Sequence, residues 1–163
     1  MLLLISGASG AGKTSVRETI ACDLAPDVEA VGLRHLGTVP AAPDVALAAP
    51  SATSVDIAVC LLDVSEGAQR ERLRRRGEPK ELVPHHVAFA AWLRRHASDP
   101  AHMPHVLTTG GWEGMDWPRL TTLPWQITVI DGSSMTVTEA GRAALQWVQD
   151  AISGRAPVFR RCR

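Results

Sequence analysis

The chain contains no asparagine. That absence alone removes the Asn-Lys-x-Asp motif with which GTPases read guanine. Lysine is nearly absent as well: Lys13 and Lys80 are the only two among 17 basic residues, and the rest are arginine. Net charge is lacking too, since 17 acidic residues balance the basic ones. A general nucleic-acid binder normally carries a basic excess, so nucleic acid is not an expected partner. No apolar run approaches the ~18 residues needed to cross a bilayer, and no membrane is expected. The first residues lack a basic leader, and their short apolar stretch runs straight into glycines, unlike a secretory signal. Cysteine is scarce and odd in number, at positions 22, 60 and 162, with no spacing that suggests a metal site. Cys22 and Cys60 lie in apolar surroundings, where a cysteine is ordinarily a small buried hydrophobe. A reducing cytoplasm is the natural compartment. The 163 residues suit one domain, which buries roughly 70% of its unfolded surface and needs neither disulfide nor metal to fold.

What is present is concentrated at the start. Residues 2–5 are a continuous apolar run, which predicts a buried parallel strand. Directly after it stands Gly7-Ala8-Ser9-Gly10-Ala11-Gly12-Lys13-Thr14, a match to GxxxxGK[ST]. In this P-loop pattern the backbone N–H groups of Gly10 to Thr14 cradle phosphate oxygens, and the helix that follows adds its positive N-terminal end. Glycines let the chain approach the phosphates closely. Lys13 is expected to reach the β- and γ-phosphates, and Thr14 to hold Mg²⁺ through its hydroxyl. The strand before and the helix after are the context the motif requires, so nucleotide binding is the expectation.

The helix is predicted to begin near Gly12, with Val16, Ile20 and Leu24 on one face and Pro26 beyond its end. Residues 28–33 read as a second short strand. Residues 37–54, rich in alanine and proline, read as loop, with room for one short helix. Residues 57–64 form a strong central strand, after which Ser65 caps a helix over about 66–76 that Gly77 stops. Pro79 and Pro84 bracket a loop, and a broad-faced helix follows over about 85–96. Residues 105–118 read as loop, and 126–130 as the last strand. Thr136 and Glu139 then fit a capping box opening a helix over about 137–152, with Ala140, Ala144, Trp147, Val148 and Ile152 facing inward and Gly154 closing it. The tail, 155–163, is basic and expected to fray. Strands alternating with helices predict an α/β sheet, mostly parallel and covered on both faces.

The chain as a whole resembles the small P-loop kinases: nucleoside monophosphate kinases, shikimate and gluconate kinases, and antibiotic phosphotransferases. Besides the P-loop, the likeness rests on "CLLDVSEGAQRERLRRRG", residues 60–77, and "VIDGSSMTVTEAGRAAL", residues 129–145. These resemble the fourth strand, its helix and the start of the lid, and the last strand, purine-side loop and final helix. The resemblance implies a three-layer P-loop NTPase fold over 1–154, a sheet of four to five strands, and an arginine-rich lid at about 74–86. It implies that Arg72 stacks on adenine, that Arg76 reaches the transferred phosphate, and that Gly132 and Ser133 lie beside the base. Phosphoryl transfer is catalysed mainly by positioning and by cations on the equatorial oxygens, work for which an arginine fork is suited. The alternative for Arg70 to Arg76 is a solvated helix face, and some of these arginines must face water.

The chain departs from that pattern in two places. The interval between the second strand and residues 57–64 holds no apolar strand ending in an acid of Walker B type; either the chain is naturally short there, or a piece is missing around residues 44–50. Asp63 ends a strong strand and is a candidate metal residue, although by family position it belongs to the next strand. Where several small-molecule kinases place an Asp after the second strand, this chain has Arg34 and His35. A guanidinium there favours an acceptor already carrying phosphate or carboxylate. His85 and His86 stand at the lid edge, either near substrate or as ordinary helix-start residues; with His96, His102 and His105 they match no zinc spacing. Trp92, Trp112 and Trp117 belong either to the core or to an acceptor pocket. The resulting expectation is an ATP-dependent phosphotransferase acting on a small-molecule acceptor, with Mg²⁺. Its rivals are a regulatory or remnant nucleotide-binding protein, and an NTPase that passes phosphate to water. The sequence is silent on the acceptor, the general base and the oligomeric state.

Overall fold

A computed structural model describes residues 1–24, 47–103 and 117–160. Three strands form one parallel sheet in the order β1 (Leu2–Ser6), β2 (Ile57–Asp63), β3 (Thr128–Asp131). Leu2 lies opposite Ile57 and Ser6 opposite Leu61, while Cys60 lies opposite Thr128 and Asp63 opposite Asp131. The middle strand is the apolar run IAVCLLD, buried along its length except at Asp63, as a strand covered on both faces must be. Among the described residues four α-helices accompany the sheet: α1 (Lys13–Ile20), α2 (Glu66–Arg75), α3 (Val83–Ser98) and α4 (Val137–Ile152).

Alternation along β2 sorts the core. Ala58, Cys60 and Leu62 pack with Val16 and Ile20 of α1 and with Ala140, Ala144, Trp147, Val148 and Ala151 of α4. Ile57 and Val59 point the other way, onto Leu47, Ala48, Ala52, Leu120 and Phe159. Leu61 meets Trp92 and Leu93 of α3. Each fully buried Leu, Val or Ile side chain in such a cluster contributes about 1.5–3 kcal/mol.

The helix ends follow local chemistry. Ser65 accepts from the Ala68 N–H and caps α2. Thr136 and Glu139 form the full capping box of α4, and Gly154 follows its end at φ 74°. Several expectations need correction. The last strand runs over Thr128–Asp131 rather than 126–130. Helix α3 begins at Val83, because Pro84 sits in its first turn, where its missing N–H costs nothing; of the lid interval expected over 74–86, residues 74–75 and 83–86 are helical and 76–82 are not. Ile152 is half exposed at the last turn of α4, and Cys22 is exposed. Residues 155–160 do not fray: Phe159 is buried and exchanges two backbone hydrogen bonds with Ile57, while Arg155 pairs with Asp150 and Arg160 with Asp56. Trp92 is buried, stacked between Phe89 and His96. The strand read at 28–33, Arg34, His35, Pro26, His105, Trp112 and Cys162 lie outside the described residues. Among the described residues no helix is long and apolar enough to cross a membrane.

Candidate functional site

Ligands of open parallel sheets bind outside the carboxyl ends of the strands, and the glycine loop stands at that end of the sheet. The glycine loop, 7–12, leaves the end of β1 and delivers the chain into α1. Gly7 has no room for a side chain: with φ 154°, an added β-carbon would lie 2.5 Å from the Leu62 carbonyl oxygen. Gly12 is the N-cap residue of α1 and takes the left-handed conformation, φ 98°. Lys13 is therefore the first helical residue and the exposed Thr14 the second. The first N–H groups of a helix have no acceptor within it and favour an anion. Within the loop the Ala11 N–H instead donates to Ala8 O at 3.2 Å.

Lys13 folds back over the loop. Its ammonium donates to Gly7 O at 2.6 Å and Ala8 O at 3.0 Å. Burial, and then the charge of Arg76, bring its pKa down to about 8. Among the described residues no carboxylate pairs with this ammonium.

Helix α2 lays one stripe against the loop. Gln69, Arg72, Leu73 and Arg76 recur at helical spacing and share a face. Gln69 is buried, and its amide donates to Ser9 O at 2.8 Å and to His86 O at 3.1 Å. Arg72 spans from Ala11 O, 3.4 Å, to Gly132 O, 2.6 Å, and so joins the glycine loop to the turn after β3. Arg76 reaches the hydroxyl of Ser9 at 2.8 Å and the carboxylate of Glu78 at 2.6 Å. The other face is solvated: Arg70 pairs with Glu66, and Arg74 and Arg75 both pair with Glu71, at side-chain exposures of 72% and 73%. The structure thus divides the arginine run into three outward residues and two that meet the loop.

Beyond the loop, Ser133 accepts from the Ser65 N–H at 2.7 Å and donates to Asp131, whose carboxylate also accepts the Ser133 N–H. These bonds lower the Asp131 pKa. Gly132 N–H donates to Asp63 O at 2.8 Å. Asp63 itself is engaged: Arg94 of α3 takes both carboxylate oxygens, at 2.6 and 2.9 Å, and also reaches Val64 O. That bidentate pair raises the Arg94 pKa and leaves Asp63 facing a guanidinium rather than a metal position. Among the described residues no group of three His, Cys, Asp or Glu is placed to hold a metal ion.

Sequence reasoning singled out Lys13, Arg72, Arg76, Gly132 and Ser133; the fold sets Lys13, Arg72 and Arg76 against the glycine loop, joins Arg72 to Gly132, and ties Ser133 to Ser65 and Asp131. It missed Gln69, Glu78 and Arg94. The signal for Gln69 was its i, i+4 spacing with Leu73 in a helix otherwise short of apolar residues. For Arg94 there was none, since its partner lies 31 residues away. Comparison of the chain with protein-family models, with curated proteins and with solved structures finds no match.

Proposed function

We propose that the protein is a small P-loop kinase that moves the γ-phosphoryl group of ATP to a small-molecule acceptor, on a three-layer fold whose mostly parallel sheet numbers four to five strands. The observation that carries this reading is the glycine loop between a buried parallel strand and a helix whose first residue is Lys13, with Arg72 and Arg76 laid against it. In this reading the loop amides and Lys13 hold the β- and γ-phosphates, Arg72 and the Gly132–Ser133 turn flank the base, and Arg76 meets the group in transfer. The residues present fit a polyphosphate: Gly7 keeps the strand end clear of a side chain, and the Lys13 and Arg76 charges crowd each other. Thr14 is the residue that would hold Mg²⁺, which offsets negative charge on the phosphates; Mg²⁺ takes its other positions from phosphate and water.

Lys13 must leave Gly7 O and Ala8 O to meet phosphate, a modest exchange because hydrogen bonds are traded rather than lost. The acceptor is proposed as a nucleoside, nucleotide or secondary metabolite.

One observation favours a second reading, a regulatory or remnant protein that binds nucleotide without transferring phosphate: the Arg94 guanidinium occupies Asp63, the acid at the end of β2. Release of ADP from Mg·ATP separates the readings. Measured over a panel of nucleosides, nucleoside monophosphates, sugars and aminoglycosides, one acceptor class should raise the rate well above the water-only level. Lys13→Ala should abolish that rise. Turnover unchanged by Lys13→Ala sinks the assignment; ATP binding with no acceptor-dependent rate favours the second reading, and brisk release without acceptor marks an NTPase.

A further inference from the structure

A closed circuit of hydrogen bonds joins the glycine loop to α2 and α3. Starting at Ser9, its hydroxyl accepts from Arg76, whose same nitrogen donates to Glu78 at 2.6 Å. The other Glu78 oxygen lies 2.8 Å from His86 Nε2. The carbonyl of His86 accepts from the buried amide of Gln69, and that amide returns to Ser9 O.

Local structure explains why the circuit closes. Helix α2 ends at Arg75; Gly77 turns the chain at φ 75°, and Glu78 N–H donates to Leu73 O, 3.0 Å. That turn brings the Glu78 carboxylate back beside Arg76. Glu78 is well shielded for a glutamate, its side chain 16% exposed, whereas Arg76 is 52% exposed. The partly exposed cation is therefore held by a less exposed anion, which α3 fixes in turn through His86.

Resting on the kinase reading above, we propose that Glu78, fixed by His86, is a positioning residue that aims the Arg76 guanidinium over the glycine loop and thereby sets preference for a nucleoside triphosphate over a diphosphate. An arginine on a long flexible side chain loses rotamer entropy when it binds phosphate. One already held at Ser9 and Glu78 has lost most of that freedom, so its contact with a terminal phosphate is realised more fully. Arg72, tied to Ala11 O and Gly132 O, lies toward the base side and contacts both nucleotides alike. The ring reads the terminal phosphate; the rest of the site reads what ATP and ADP share.

The test is the ratio of dissociation constants for ADP and ATP, measured with Mg²⁺ on the full chain by displacement of a fluorescent ATP analogue. Glu78→Gln keeps the shape and removes the charge; His86→Leu leaves Arg76 and Glu78 paired but removes the partner that fixes Glu78. ATP affinity should fall about tenfold in Glu78→Gln and by a smaller factor in His86→Leu, while ADP affinity stays within twofold. Equal losses for both nucleotides, or an unchanged ratio in Glu78→Gln, overturn the proposal. A wild-type ratio in His86→Leu overturns the role given to His86. Failure of the wild-type chain to bind either nucleotide overturns the nucleotide reading itself and the inference with it, a result distinct from the others.

Discussion

Replacing Lys13 with methionine keeps the length of the side chain and removes its ammonium, which isolates one proton linkage. Burial and then Arg76 set the Lys13 pKa at about 8, against 10.5 for an ordinary lysine. Between those two values the unfolded chain holds a proton that the folded chain has released, so stability rises with pH across that window. Below pH 8 both states are charged and the whole penalty stands; above 10.5 both are neutral and it is gone. A difference of about 2.5 pH units corresponds to about 3 kcal/mol. The amine is partly exposed, and solvent screening reduces this ceiling to about 1–2 kcal/mol. Cys60 acts in the opposite sense. Burial pushes its thiol up from 9.0 to about 12, so above pH 9 the unfolded chain loses a proton that the folded chain keeps, and stability falls. Both proteins carry Cys60, so its effect cancels in their difference. Urea unfolding of wild type and Lys13→Met, just below pH 8 and near pH 10.5, gives that difference directly. The wild-type value minus the variant value should rise by about 1–2 kcal/mol between the two conditions. Parallel pH profiles would refute a desolvated ammonium folded over the loop.

Two further outcomes follow from packing. Gly7→Ala would set a β-carbon 2.5 Å from backbone, the Leu62 carbonyl, which has no flexible end to give way; a loss of about 1–3 kcal/mol is expected, with loss of ATP binding. A thermal midpoint and ATP affinity at wild-type values would show that the loop does not approach β2 so closely. Phe159→Ala empties a site that is 3% exposed and contacts the β2 face. It should cost about 3–5 kcal/mol in chemical denaturation, and an unchanged midpoint would mean that the tail does not dock.

The elements legible in the sequence were those with a local cause. The apolar run of β2 announces burial on both faces, and the Ser65, Thr136 and Gly154 boundaries are made by residues within one turn of the end they mark. The glycine loop was legible for the same reason: eight consecutive residues carry its pattern. What was not legible depends on partners distant in sequence. The tail looks like a solvated basic end because its arginines dominate its composition, yet one aromatic residue, Phe159, finds Ile57 more than a hundred residues earlier and docks the segment. Asp63 looks like a candidate metal residue until α3 brings Arg94 onto it. The arginine run of α2 could not be divided by composition; only the helical period, with Gln69 and Leu73 marking the buried stripe, separates Arg72 and Arg76 from Arg74 and Arg75.

That division of charge bears on the polyphosphate site proposed above. Four cations lie at the strand ends: Lys13, Arg72, Arg76 and Arg94. The acids there are not spread evenly among them. Asp63 is taken by Arg94, and Asp131 is held by the Ser133 hydroxyl and N–H with Arg94 nearby. The β2 and β3 ends thereby carry two carboxylates against one guanidinium and hold no surplus of positive charge. At the glycine loop, by contrast, among the described residues Lys13, Arg72 and Arg76 are set against Glu78, which also serves His86. The surplus positive charge therefore sits where the backbone is glycine and the helix end is positive; the Lys13 pKa is lowered first by burial and then by the charge of Arg76. Nearby charges of one sign each raise the cost of the next, so an anion that spans all three gains from relieving their mutual repulsion as well as from each contact. A single carboxylate reaches at most one or two of them; on the kinase reading a chain of phosphates would run along the loop by Lys13 toward Arg76, with Arg72 at the base end.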